Sequence, residues 1–287
     1  MTEIRIVDTA GVRDQLGEGL LWSARDGVLY WTDIIGKALN RLSLASGTVD
    51  RIAMPEMIGW VIERDSGGLI AGMQTGFHAV TLDPLAIVPM LDPEPDLPEN
   101  RLNDAKADAE GRIYAGTMPL SCDVPSGALY RLDPDGTLHT LERDIIIANG
   151  PAISPDGATF YHTDTGRNAI YRYDRAADGS LSGRALFIDF DRDWGSPDGM
   201  TTDAEGHLWV AHWGGSRISR FAPDGSHQRS IALPASQITN IAFAGPDLDR
   251  MFVTSAADGV PGEADAGRLF EVLDPGVRGL RPGVYAG

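Results

Sequence analysis

The chain has a single cysteine, Cys122, and that scarcity removes several readings at once. One thiol can form no internal disulfide and no multi-cysteine zinc or iron–sulfur site. Basic residues are also few: 24 Lys and Arg stand against 41 Asp and Glu, giving a net charge of −17 and an isoelectric point near 4.6. Phosphate backbones are held by clustered cations, so nucleic acid is not an expected partner. No apolar run approaches the ~18 residues of a membrane span, so no membrane partner is expected either. The opening residues carry Glu3, Arg5 and Asp8 where a secretory signal would be apolar, which predicts an intracellular, cytoplasmic protein. The six histidines form no His-Glu-Xaa-Xaa-His, and no Gly-Xaa-Ser-Xaa-Gly elbow occurs, so zincin and α/β-hydrolase chemistry lack their usual signs.

What the chain does have is 34 glycines, 18 prolines and a repeated phrase. Aligned on a glycine followed three residues later by an aromatic, Gly27 leads to Tyr30, Gly111 to Tyr114, Gly157 to Phe160 and Gly206 to Trp209. Two weaker copies complete the series, Gly68 with Ala71 in place of the aromatic and Asp249 in place of the glycine before Phe252. Successive anchors are 41, 43, 46, 49 and 43 residues apart, within the ~40–50 of propeller blades. Each unit reads as two β-rich runs joined by an Asp-Gly or Asp-Xaa-Gly turn, a hairpin pattern rather than a helix pair. The fold predicted is an all-β six-bladed propeller spanning residues 1–287 as a single domain. Residues 4–10 are expected to pair with residues 267–273, so that the two ends of the chain close one blade.

Eight or nine positions before an anchor, just ahead of the first strand of the hairpin, stand Glu18, Asn103, Asn149 and Asp198. Propeller pseudo-symmetry would bring equivalent positions to one mouth of the central channel. Converging carboxylates and amides incur heavy desolvation and Coulomb costs unless a positive charge sits among them, which points to a divalent cation. The all-oxygen donor set suits Ca²⁺, Mg²⁺ or Mn²⁺, with Fe²⁺ and Zn²⁺ also admitted. A second acidic run, Asp189, Asp191 and Asp193, imitates an EF-hand but has Trp194 where the loop needs Gly and Met200 where it needs Glu, so it reads as a solvated loop. His162 and Asp164 follow Asn149 in the same unit and are as well explained by structural hydrogen bonds as by channel lining.

The phrases "LGEGLLW" (16–22), "NRLND" (100–104), "AGTM" (115–118), "NGPAISPDG" (149–157), "PDGMTTDAEGHLWVAHWGG" (197–215) and "GLRPGVYAG" (279–287) together resemble the gluconolactonase family that includes regucalcin-like proteins. The resemblance runs almost the full length and implies a six-bladed propeller that hydrolyses sugar-acid lactones with one divalent metal. Carried over residue by residue, it implies Glu18, Asn149 and Asp198 as metal ligands, with Arg101 and Asn103 holding substrate. Members usually place an acid soon after "GTM"; here Pro119, Leu120, Ser121 and Cys122 follow, and Asp123 is the nearest acid. That departure leaves the preferred sugar open between pentono- and hexonolactones.

Lactone hydrolysis builds negative charge on the carbonyl oxygen, which a cation stabilises while lowering the pKa of water. Asp198 is the candidate general base and Arg101 the fork that orients substrate oxygens. Two other readings stay open on the sequence: a calcium-binding or interaction propeller without catalysis, and a metal-dependent hydrolase of aryl esters or organophosphates.

Overall fold

The computed structural model describes residues 3–287. Its strands, numbered β1 to β24 along the chain, form six four-stranded antiparallel sheets. Five blades are built from four consecutive strands each, and the sixth adds β1 (Glu3–Ile6) to β24 (Phe270–Leu273), with Glu3 opposite Leu273 and Ile6 opposite Phe270. The predicted closure of the ring is therefore present, over a shorter stretch than the sequence reading gave. No helix among the described residues is long and apolar enough to cross a membrane.

The first strand of each blade is innermost: β2 (Gly17–Ser23), β6 (Ile58–Glu63), β10 (Asn100–Ala107), β14 (Ala148–Ile153), β18 (Ser196–Thr202) and β22 (Ile238–Ala244). These strands neighbour one another round the ring. β2, β6 and β22 are buried along their whole length, whereas outermost strands such as β9 (Leu85–Leu91) face solvent. Side chains that alternate across each sheet meet those of the next blade, producing a series of apolar layers between blades rather than one central core.

The repeated phrase is the turn and second strand of a blade. Gly27, Gly111, Gly157 and Gly206 take positive φ of 67–83° at the tight turn, a conformation that glycine adopts without steric cost. The residue three positions on enters the inter-blade layer, and Tyr30, Tyr114, Phe160, Trp209 and Phe252 are all at most 2 % exposed. Ala71, which replaces the aromatic in the second blade, is equally buried.

Each innermost strand slips register against its neighbour at one place: between Glu18 and Leu21, Ile58 and Trp60, Leu102 and Ala105, Asn149 and Ala152, Pro197 and Met200, and Ile238 and Ile241. A β-bulge interrupts the strict two-residue alternation and re-aims a side chain out of the sheet. The sequence reading put Glu18, Asn103, Asn149 and Asp198 ahead of the first strand; they lie inside it, at these bulges. Opposite ends of the innermost strands carry the Gly turns, and the C-terminal segment 278–287 crosses that far end.

Candidate active site

The six bulges present Glu18, Gly59, Asn103, Asn149, Asp198 and Asn240, one from each blade. Gly59 contributes no side chain because there is no room for one: a Cβ there would stand 2.6 Å from the carbonyl oxygen of Asn103 and 2.9 Å from that of Leu102. The other five meet around the axis. Asn240 Nδ2 donates to Glu18 Oε2 at 2.9 Å and reaches Asp104 Oδ2, from the blade across the ring, at 3.5 Å. Asn103 Nδ2 donates to Asn149 Oδ1 and to the carbonyl oxygen of Ala148, both at 2.8 Å. Asn149 in turn donates to Thr165 Oγ1 at 2.9 Å, and Thr165 Oγ1 to the carbonyl oxygen of Pro197 at 2.7 Å, which ties the fourth blade to the residue preceding Asp198.

All the charged members are buried. Glu18 and Asp198 are each 5 % exposed, and no side-chain cation among the described residues pairs with either. Burial, reinforced by the Asp104 charge, pushes the Glu18 carboxyl up to about 8, against the opposing pull of the Gly19 N–H and Asn240. Burial, then the charges of Glu18 and Asp104, raise Asp198 well above the usual carboxylate range, while the Gly199 N–H and Arg101 act the other way. Asp104 is pushed up to about 7 by burial, with the Lys106 charge as the main opposing influence.

Arg101 is 7 % exposed and, among the described residues, its side chain donates only through Nη1, to the carbonyl oxygen of Leu102 at 3.2 Å and to Asn103 Oδ1 at 2.5 Å. No carboxylate among the described residues forms an ion pair with it, so most of the guanidinium fork remains free for a ligand. Burial lowers its pKa, and the charges of Cys122, Glu18 and Asp198 resist that shift.

The sequence reading thus brought together residues that the fold also brings together, Glu18, Arg101, Asn103, Asn149 and Asp198. It missed Asn240 and Asp104. Asn240 stands nine positions before Asp249, the same phase as Glu18 before Gly27, and that interval was its available signal. Asp104 follows Asn103 in the bulge, where broken alternation lets two adjacent side chains both reach the axis. His162 and Asp164 are outside the cluster. Asp164 accepts from the backbone N–H groups of Ile146 and Ile147 and pairs with Arg167, while His162 is enclosed at 2 % exposure, its pKa pushed down to about 4 by burial. Asp189, Asp191 and Asp193 are exposed, in keeping with a solvated loop.

A divalent cation fits this donor set. Glu18 Oε1 and the Asp198 carboxylate receive no side-chain donor among the described residues, and two buried acids with raised pKa values are what a cation would stabilise.

Residues 16–257 match the SMP-30/gluconolactonase/LRE-like region family. The chain belongs to that family. The pentonolactonase of Haloferax volcanii is 36% identical over 284 residues, covering 95% of this chain and 94% of that protein. The 6-deoxy-6-sulfogluconolactonase of Pseudomonas putida is 35% identical over 244 residues, covering 85% and 84% of the two chains. Among solved structures, the calcium-binding protein regucalcin from Agrobacterium tumefaciens superimposes with a TM-score of 0.94 at 31% identity, covering 100% of this chain and 98% of that one. Family membership extends across the residues that build the cluster, Glu18 to Asn240.

Proposed function

We propose that this SMP-30/gluconolactonase family member is an enzyme that hydrolyses a sugar-acid lactone, a pentono- or hexonolactone, to the free aldonic acid with the help of a divalent cation. The observation that carries the reading is the juxtaposition of two uncompensated buried carboxylates, Glu18 and Asp198, with a buried Arg101 whose fork has no acidic partner. Relatives named as a pentonolactonase and a 6-deoxy-6-sulfogluconolactonase support the same class of substrate.

Glu18, Asn149 and Asp198 would hold the cation, and Ca²⁺, Mg²⁺, Mn²⁺, Fe²⁺ and Zn²⁺ are all compatible with oxygen donors of this kind. When bound, it supplies the Lewis acidity that polarises a lactone carbonyl and brings water into its nucleophilic range near neutral pH. Asp198 would take the proton of the attacking water on a carboxylate oxygen and return it to the ring oxygen as the ester bond opens. Arg101 would orient lactone or hydroxyl oxygens through its free N–H groups, and Asn103 fixes that fork's aim by accepting from Nη1 while donating to Asn149. The same arrangement keeps the cation side and the substrate side of the site in one hydrogen-bonded frame.

Acid release measured in a pH-indicator assay with a panel of aldonolactones, before and after chelation, tests the reading. Metal-dependent hydrolysis of a pentono- or hexonolactone is expected, and Arg101→Ala should raise KM by about tenfold or more, the scale of a lost charge-assisted contact. Turnover of aryl esters or phosphotriesters with inert lactones would replace the proposal with another metal-dependent hydrolase. Metal binding without ester hydrolysis would leave a binding propeller.

A further inference from the structure

The loop between β9 and β10 reads "DPEPDLPE", residues 92–99, and the fold gives one of its acids a specific attachment. Glu94 Oε1 accepts from Thr117 Oγ1 at 2.8 Å and from the Tyr130 hydroxyl at 2.9 Å, and Glu94 Oε2 accepts from Asn100 Nδ2 at 2.8 Å. Thr117 lies in β11 (Ile113–Pro119) and Tyr130 in β12 (Gly127–Leu132), so one carboxylate joins the loop to three strands of the third blade. Asn100 is the residue directly before Arg101, and its amide is fully engaged: Nδ2 also donates to the carbonyl oxygen of Ser126 at 3.0 Å, and Oδ1 accepts from Ser126 Oγ at 2.8 Å.

The second loop on this side, residues 120–126, is tied to the first. Leu120 N donates to the carbonyl oxygen of Glu99 at 2.8 Å, and Ser126 is bound through Asn100 as above. Between these two tethers sits Cys122, exposed, with a φ of 61° that a non-glycine residue keeps only where its surroundings enforce it. Cys122 is near enough to Arg101 for each charge to bias the other's ionisation. Both loops are therefore fastened at Asn100, the residue before Arg101, the 92–99 loop through Glu94 and the 120–126 loop through Ser126.

We propose that Glu94 is a positioning residue for substrate recognition: its carboxylate clamps the 92–99 and 120–126 loops to the root of β10 at Asn100 and so fixes the backbone from which Arg101 projects. Glu94 shares no hydrogen bond or ion pair with Glu18, Asn149 or Asp198, which separates the effect of the clamp from that of the cation. A carboxylate accepting three donors is a strong fastening, because removing it leaves Thr117, Tyr130 and Asn100 each short of a partner. The kinetic part of this inference rests on the lactonase reading, whereas the structural part does not.

The test compares wild type, Glu94→Ala and Glu94→Gln in three measurements: kinetics on the best lactone of the panel, Mn²⁺ affinity, and the alkylation rate of Cys122 by iodoacetamide. As the chain's one cysteine, Cys122 reports on the 120–126 loop without any reference to turnover. The expected result for Glu94→Ala is a KM raised about five- to tenfold with kcat within about twofold, the signature of lost binding rather than lost chemistry. Mn²⁺ affinity should be unchanged and Cys122 alkylation several-fold faster, with Glu94→Gln intermediate because its amide keeps one acceptor oxygen. Unchanged KM and unchanged alkylation in Glu94→Ala would overturn the clamp, as would a parallel fall of kcat, Mn²⁺ affinity and thermal stability. If wild type turns over no lactone, the proposed function falls, and alkylation alone then decides whether Glu94 holds the loops.

Discussion

Glu18 and Asp198 are each 5 % exposed and no side-chain cation among the described residues forms an ion pair with either, Arg101 acting on them only from a distance, so their protonation depends strongly on what else is bound. In the metal-free fold burial pushes the Glu18 carboxyl from 4.5 up to about 8, and burial raises Asp198 as well. Between those limits the metal-free folded protein holds protons that the unfolded chain has released, so its stability falls as pH rises through the window. The divalent cation proposed for these carboxylates would reverse that penalty. The rise in Tm on adding Ca²⁺ or Mn²⁺ to chelator-treated protein should therefore be small at pH 5 and grow toward pH 8. Burial pushes His162 and His212 down to about 4, so they withdraw stability as pH falls from about 6.5. They do this with or without the cation, and the difference between the two melts isolates the carboxylates. In Glu18→Gln/Asp198→Asn the metal-induced rise should vanish at every pH. A rise of equal size at pH 5 and pH 8, or one that survives the double substitution, would place the cation elsewhere.

The element that converts a repeated sequence phrase into a site is the bulge of the innermost strand. A regular strand would send alternate side chains into the two flanking inter-blade layers; the slipped register turns one onto the axis instead. Gly59 shows how tight the resulting ring is, since its missing Cβ leaves space occupied by the backbone carbonyls of Leu102 and Asn103. Gly59→Ala is expected to cost about 1–3 kcal/mol by overpacking, and it should also raise KM because the displaced Asn103 is what holds Arg101. Gly262→Ala, where an added Cβ meets nothing within 4 Å, is the matched control and should leave Tm and KM alone. Equal behaviour of the two variants in thermal melts would mean that the ring yields freely at Gly59. The blade hairpins were legible in the sequence because the glycine turn and the buried aromatic recur with few exceptions. The ring was legible only in part: the copies lacking an aromatic or a glycine, at Ala71 and Asp249, hid Gly59 and Asn240, and strand alternation gives no hint that Asp104 accompanies Asn103. Glu94 was not legible at all, because its partners Asn100, Thr117 and Tyr130 lie on three strands with no shared period.

On the scale of the whole molecule, the ring is tied in two places. The first is the pairing of β1 with β24. The second is the C-terminal segment, which begins on the fifth and sixth blades, where Ala204 N donates to the carbonyl oxygen of Arg278 and Gly279 N to that of Leu248, both at 2.8 Å. It then crosses the channel end opposite the cluster and reaches the second and third blades. There Tyr285 N donates to the carbonyl oxygen of Glu63 at 2.8 Å, Asp65 N to that of Tyr285 at 2.9 Å, and the 1 % exposed Tyr285 hydroxyl to that of Asp133 at 3.2 Å. Residues 280–284 of this strap line a cavity of about 860 Å³, whose walls also include Asp104 and Lys106. We propose that residues 1–287 form one domain whose blades unfold together, because the strap joins blades on opposite sides of the ring. Truncation after Arg278 removes the Tyr285 anchor and opens the cavity to solvent, so Tm should fall by several degrees, each 1 kcal/mol being worth roughly 2–4 °C in a protein of this size. The calorimetric trace should keep a single transition, since the β1–β24 closure still holds the ring. Mn²⁺ affinity should change little, as Glu18, Asn149 and Asp198 lie at the other end of their strands. Two resolved transitions in the full-length protein would divide the chain into separate units, and an unchanged Tm in the truncated form would show that the strap carries no part of the ring's stability.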